Sequence, residues 1–395
     1  MKIKIPRPNS VNFWLFSGLV ISFLLEILVQ MAIVSDNTIT KIVQYILLLS
    51  PVFLCFIQFF INKLKLKYKY RYEYELKNGL FLSSVFLIST LWFSHETGKF
   101  TSNSILEVIQ ILLPFIITFT VINSMNLGNI HSFMKISLLI VSLGLFYNEW
   151  DKLIILSNYT KISLLNSYSP FENNIFPQFA APLGVYFIYN KHKSPYMAIL
   201  SLVINFLIFK RVLLLMLLLL FCIKSFKFDN IFYKLGRLTY SFWIIWFLTV
   251  SLTYYMYLPE NSLYFEHLLN IDFAKFTMAR IYRFWYVIEQ GFTPYGLGSA
   301  AEFLRAKNLS YIGIDFELDF IRIMFEIGPI AVATYILVML RICKQNLYAV
   351  VVVNFYFLNF LMANGMFQYW SITLLLITIA FINTSSKEID DSDCT

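Results

Sequence analysis

Long apolar runs separated by short polar connections fill almost the whole chain. The runs are continuous, as in Val212–Ile223 (VLLLMLLLLFCI), whereas the strands of a membrane barrel alternate apolar and polar positions. The pattern therefore predicts helices. Spans are expected at about 12–34, 41–62, 79–94, 104–124, 132–148, 176–190, 195–209, 212–224, 238–258, 317–340, 347–364 and 367–383. The fold class that follows is an all-α polytopic membrane protein with about twelve transmembrane helices. One long polar interruption, 259–316, separates the ninth expected helix from the tenth. It holds Arg280, Arg283, Arg305, Lys307, Asp315 and a Gly-Leu-Gly turn at 296–298.

Composition sharpens this picture. Hydrophobic residues make up 58% of the chain and charged residues 14%, and the mean hydropathy is +0.68. Soluble domains carry about 25% charged residues, so a soluble fold is excluded. Cys55, Cys222, Cys343 and Cys394 form no CxxC pair or metal-like cluster. The start, MKIKIPRPNS, is basic, but the following run is long enough to span and lacks a small-residue cleavage site, so it reads as the first helix. No Walker, GxSxG or HExxH motif is present, and no metal or cofactor is expected.

The net charge of +8 is explained by the positive-inside rule rather than by nucleic-acid binding. Lys2, Lys4 and Arg7, the run KLKLKYKYRYEYELK, Lys191 and Lys193, Lys224 to Arg237, and Arg341 with Lys344 all fall on one side. That side is expected to be cytoplasmic and to hold both termini, including a polar tail at 384–395 without regular structure. A medium loop at 149–175 and the large loop at 259–316 are then external. This topology depends on Lys210-Arg211. As one helix, 195–223 would be about 43 Å long with two charges near the bilayer centre, each costing about 2.5–3.5 kcal/mol. A hairpin of two short helices puts both charges at the external surface instead.

External positive charge opposes the usual bias, and it concentrates in the large loop and at 210–211. Arg305 and Lys307 read as a solvated surface. Arg280 and Arg283 are three apart in an expected amphipathic helix at about 274–290, with Ile281, Trp285 and Ile288 as its apolar stripe. Two guanidinium forks presented together match phosphate geometry. In IDFELDFIRIMFEIGPI, a helix places Asp315, Asp319, Arg322 and Glu326 on one stripe descending into the bilayer, while Glu317 points elsewhere. The stripe is either an ion-pair ladder or a source of catalytic carboxylates, with Glu317 or Asp319 as the acid/base or orienting group. Before the sixth expected span, Glu172, Asn173 and Asn174 either meet sugar hydroxyls or cap the helix.

These features resemble Wzy-type O-antigen polymerases, in the superfamily that also contains O-antigen ligases. Topology carries the resemblance over most of the chain. Locally, Arg280 is followed after ten residues by Gly291, RFWYVIEQGFTPYGLGSA resembles an Arg- and Trp-containing helix leading into a Pro-Gly-Gly turn, and IDFELDFIRIMFEIGPI resembles an acidic segment leading into Glu-x-Gly. Lys210-Arg211 stands where the family has an arginine between short helices, and FENNIFPQFAAPLG resembles its Pro/Asn helix entry. The chain departs from the pattern in its medium loop, where Lys161 is followed at the equivalent spacing by Glu172. His267 is the large loop's histidine and none follows it, which points away from a ligase.

The resemblance implies a GT-C-like, metal-independent glycosyltransferase of the bacterial inner membrane. It would transfer an undecaprenyl-pyrophosphate-linked glycan onto the next lipid-linked repeat unit at the periplasmic face. Arg280, Arg283, Arg211 and Lys210 are the expected pyrophosphate contacts, with Arg322, Glu172 and Asn173 as further substrate contacts. Glu317 or Asp319 would orient or deprotonate the attacking hydroxyl. The lipid bilayer and a chain-length regulator are the expected partners, and nucleic acid is not. A ligase, or a flippase of lipid-linked sugars, is the alternative; a flippase predicts short loops and repeated halves, which this chain lacks.

Overall fold

The computed structural model describes residues 11–35, 37–66, 71–155, 157–161, 170, 175–208, 210–225, 239–307, 316–343 and 346–392. Every regular element among them is helical. In chain order these are α1 Val11–Gln30, α2 Thr38–Leu66, α3 Glu73–Thr97, α4 Ser102–Ser124, α5 Leu127–Leu153, α6 Ser157–Thr160, α7 Pro177–Tyr189, α8 Pro195–Ile208, α9 Arg211–Ser225, α10 Thr239–Tyr257, α11 Pro259–Leu269, α12 Phe273–Phe276, α13 Ile281–Glu289, α14 Ser299–Lys307, α15 Asp319–Ile327, α16 Pro329–Ile342, α17 Leu347–Met362 and α18 Tyr369–Ser392.

Five of the described segments are long and apolar enough to cross a membrane: Val11–Gln30, Ile39–Phe59, Glu73–Thr97, Asn103–Ser124 and Leu127–Leu153. A sixth is added if α10 and α11, bent by 106° at their break, count as one. Further apolar helices, among them α8, α16 and α17, are shorter. The described residues are thus those of a helical membrane protein, and most apolar helices after α5 are shorter than a full span.

The chain forms two compact units: Met1–Tyr74 with Phe115–Asn230 and Thr373–Thr395, and Glu75–Pro114 with Ile231–Ile372. In the first unit α1 packs on α2 and α5, and α7 packs on α5, α8 and α9. A Cβ at Gly18 would stand 2.6 Å from the Leu47 carbonyl oxygen, so only glycine lets α1 and α2 approach this closely. Inside this contact Gln44 donates to Glu26 at 2.8 Å and to the Ser22 carbonyl at 3.3 Å, giving a membrane-depth carboxylate a donor.

The expected break at Lys210-Arg211 is present, and α8 and α9 fold back as a hairpin. A Cβ on Gly184 of α7 would meet both Asn205 of α8 and Leu217 of α9 at 3.0 Å. One continuous helix would set those two residues about 18 Å apart, so they can share a contact only if the chain reverses between them.

Three expectations are corrected. The single span at 317–340 divides at Gly328, whose φ of +85° leaves helical geometry and hands over to Pro329 at the start of α16. The stripe therefore lies on the short α15, with Asp315 outside the described residues. The helix at 274–290 breaks between α12 and α13, where Met278 and Ala279 adopt left-handed φ of +53° and +65°. Its buried face is Ile281, Phe284 and Val287 rather than Ile281, Trp285 and Ile288. Finally, the polar tail does not leave helical structure at 384: α18 continues to Ser392.

In the second unit, α10 packs on α11, α15 and α16, and α15 packs on α16 and α17. The glycine turn is bonded to the facing ends of α3 and α4: Ser94 donates to the Tyr295 carbonyl at 2.7 Å and Ser104 to the Leu297 carbonyl at 2.6 Å. Residues 95–101 and 290–298 therefore lie at one end of this unit. Cysteines placed at the exposed Lys99 and Thr293, with Cys222 and Cys394 replaced by Ser, should behave alike towards a membrane-impermeant maleimide added to intact cells. Labelling of one with protection of the other would break this placement.

Candidate functional site

The large insertion is a string of short helices, each anchored locally. Asp272 caps α12 by accepting from the Lys275 backbone N–H at 2.9 Å, and this bond holds its carboxyl below the usual carboxylate range. The chain then turns through Thr277, whose hydroxyl donates to the Phe273 carbonyl at 2.8 Å and accepts from the Ile281 N–H at 3.3 Å. Burial of Ile281, Phe284 and Val287 seats α13, and the Trp285 indole N–H donates to the Tyr257 carbonyl at 2.8 Å, tying α13 to the end of α10.

Arg280 occupies the N-cap position of α13 and Arg283 lies in its first turn. Both reach the same oxygen: Arg280 Nε is 2.8 Å and Arg283 Nη1 is 3.0 Å from Glu317 Oε2. Arg280 also donates through Nη1 to the Met362 carbonyl at 3.3 Å. Glu317 is outside the helical stripe, as expected. Its neighbours Phe316 and Leu318 are buried, so alternation along this non-helical stretch turns Glu317 to the other side. The three side chains are 17–28% exposed, neither sealed in the core nor fully solvated.

The stripe carboxylates and Arg322 are used differently. Arg322, 6% exposed, pairs through Nη2 with Glu107 of α4 and through Nε with Glu326 at 3.1 Å. Its guanidinium also lies 4.7 Å from the centre of the Phe367 ring. Glu326, fully buried, accepts from the Gly298 N–H through Oε2 and from the Ala300 N–H through Oε1, each at 2.8 Å. A buried carboxylate thus caps α14. Asp319 accepts from the Met366 N–H at 2.7 Å and its own N–H donates to the Ala363 carbonyl at 3.3 Å, which closes the turn after α17.

The structure brings Arg280, Arg283 and Glu317 together and gives Asp319 and Arg322 buried bonds beside them in the sequence. Lys210 and Arg211 belong to the other compact unit, at the α8–α9 turn. Glu172 and Asn173 lie outside the described residues. Sequence reasoning passed over Glu107, although a lone acid inside the apolar run SILEVIQILL carries a signal: ionisable groups at membrane depth have partners or functions.

Arg322→Met would leave buried Glu326 and partly buried Glu107 against an apolar side chain. The expected loss is about 3–5 kcal/mol, read as a lowered thermal midpoint of the purified protein. Arg305→Ala, at an exposed position, should change stability by no more than about 0.5 kcal/mol. Equal midpoints for the two variants would remove the structural role of the Arg322 network.

No protein-family model matches the chain, and neither a curated protein nor a solved structure matches it.

Proposed function

We propose that the chain is a membrane glycosyltransferase that polymerises lipid-linked glycans. In this reading it is a twelve-span, GT-C-like protein of the bacterial inner membrane, with both termini cytoplasmic and the 259–316 insertion in the periplasm. The observation that carries the proposal is the pair of partly exposed guanidinium groups sharing Glu317 Oε2. Around them the insertion exposes Phe276, Met278 and Tyr282. Paired cations beside exposed apolar side chains suit an amphiphilic anion, and a lipid pyrophosphate is one.

The chemistry follows from that pairing. An acceptor hydroxyl oxygen attacks the anomeric carbon of the donor sugar, the bond from that carbon to the pyrophosphate oxygen breaks, and the lipid pyrophosphate departs with the bonding electrons. Arg280 and Arg283 neutralise the charge that develops on the leaving group, an effect worth about 3–4 kcal/mol per well-placed donor. Glu317 orients the hydroxyl and takes its proton. Asp319 and Arg322 act as positioning residues, and no step requires Lys210 or Arg211.

Purified protein reconstituted with lipid-linked repeat unit as its sole substrate should build a glycan ladder. Arg280→Ala and Arg283→Ala should each slow elongation about 100-fold or more at unchanged membrane level, with single units accumulating on the carrier. Arg283→Lys should not restore the rate, because lysine lacks the planar fork. Full-length ladders from both alanine variants would defeat the assignment. Movement of substrate across the bilayer without new glycosidic bonds would make the protein a flippase, and transfer seen only when a different acceptor is supplied would make it a ligase. Ladders whose length distribution differs from that in cells would point to a separate chain-length regulator.

A further inference from the structure

We propose that the cavity between the end of α3 and the α13–α14 connection is a saccharide-binding subsite, which holds glycan rings away from the bond being made. The inference rests on the glycan reading above and adds where the sugar chain lies. The cavity measures about 710 Å³, within the range of small-ligand sites, and belongs wholly to the second compact unit.

Its lining has the mixed chemistry a sugar needs. Phe292 and Phe303, with ring centres 4.6 Å apart and planes at 34°, supply an aromatic wall for the C–H face of a pyranose ring. Glu96 and Glu302 offer carboxylate acceptors, Lys99 offers a donor, and Gln290 offers both. A bare phosphate would meet two acidic groups here, and an isoprenoid chain would meet three charged side chains. The apolar groove of the first unit differs: about 530 Å³, bounded by Ile46, Leu49, Phe53 and Ile116, it has the lining an acyl chain prefers.

Two details favour a hydroxyl-bearing occupant. Glu302 and Tyr295 meet in the cavity wall through a side-chain hydrogen bond, which sets a carboxylate and a phenol side by side for hydroxyl groups. Gly291, with φ of +63°, lines the cavity, and a Cβ there would meet nothing within 4 Å, so the space beside the backbone is open. The position also fits the reaction. α13 connects the guanidinium pair to the cavity, and the rise from Arg283 to Gln290 is about 10 Å. A glycan whose pyrophosphate end meets Arg283 can therefore extend its later rings along α13 into the cavity.

The test uses full-length purified protein in detergent and two probes: the oligosaccharide released by mild acid from the native lipid-linked repeat unit, and inorganic pyrophosphate. Glu302→Gln and Phe303→Ala should each weaken oligosaccharide binding about tenfold while leaving pyrophosphate binding unchanged. Arg283→Ala should do the reverse. Gln290→Trp, at an exposed position, fills the cavity and should abolish oligosaccharide binding even if Phe303→Ala fails to fold. Undiminished oligosaccharide binding in Glu302→Gln and Gln290→Trp overturns the subsite. So does wild-type protein that binds pyrophosphate but not the oligosaccharide, in which case the polymerase reading stands. Wild-type protein that binds neither probe overturns that reading and the subsite with it.

Discussion

The burial of Arg322 is the constraint on which the second compact unit depends. A guanidinium group taken out of water costs several kcal/mol even after relaxation, and here it is recovered through two carboxylates from different helices, Glu107 on α4 and Glu326 on α15 itself. One arginine against two carboxylates leaves an excess of negative charge. The Gly298 and Ala300 N–H groups at the start of α14 face that excess, where helix geometry exposes donors and partial positive charge. Satisfying one buried charge thus joins α4, α15, the glycine turn and α14. The turn itself tolerates little else: at Gly298 (φ +83°) a Cβ would stand 3.1 Å from Glu107, and at Gly296 (φ +127°) 2.8 Å from Thr90.

With that joint closed, the outer groups acquire fixed positions. The start of α15 is held because Asp319 bonds the turn at 363–366, and Glu317 is two residues upstream of it. On the facing side α13 is seated by its apolar face and by Trp285. Arg280 and Arg283 therefore meet Glu317 as a consequence of packing on both sides. In the inner network Arg322, Glu326 and Asp319 are buried and bonded within the protein, while Glu107 is partly exposed. The outer trio is partly open, so a ligand anion can compete for the same guanidinium groups. The difference lies in the arginines: buried Arg322 holds the unit together, whereas the more exposed Arg280 and Arg283 are available to a substrate.

Much of this was legible in the chain, and the illegible parts have specific causes. Continuous apolar runs located nearly every long helix, because backbone groups in lipid must be satisfied within the segment. The α8–α9 reversal followed from the cost of Lys210 and Arg211 at the bilayer centre. The pairing of Arg280 with Arg283 followed from their spacing. The break at Gly328 was harder to see, since hydropathy does not register the sign of φ, although Gly-Pro is a common boundary. The break at Met278 and Ala279 has no sequence signal at all: non-glycine residues with positive φ are uncommon, and here the two N–H groups bond back to the Lys275 and Ala274 carbonyls. The apolar stripe was misassigned because Trp285 spends its indole N–H on a carbonyl at the end of α10, while Phe284 takes the core position. Glu107 gains its partner from a residue more than two hundred positions away, which no local pattern can reveal.

The choice between Glu317 and Asp319 shows how burial decides chemistry when composition cannot. On sequence alone the helical stripe separates the two carboxylates without deciding which of them serves as the acid/base. The backbone makes them different. Residues 316–318 are not helical, so Phe316 and Leu318 turn inward and Glu317 turns outward. At Asp319 the helix begins, and its carboxylate turns inward to a backbone N–H. A proton acceptor must contact the hydroxyl it serves, and a carboxylate already bonded to the Met366 N–H in a sealed turn has no route to one. Glu317 has that route, being partly exposed beside Arg280 and Arg283. The carboxylate that the helical stripe left out is therefore the one best placed for proton transfer.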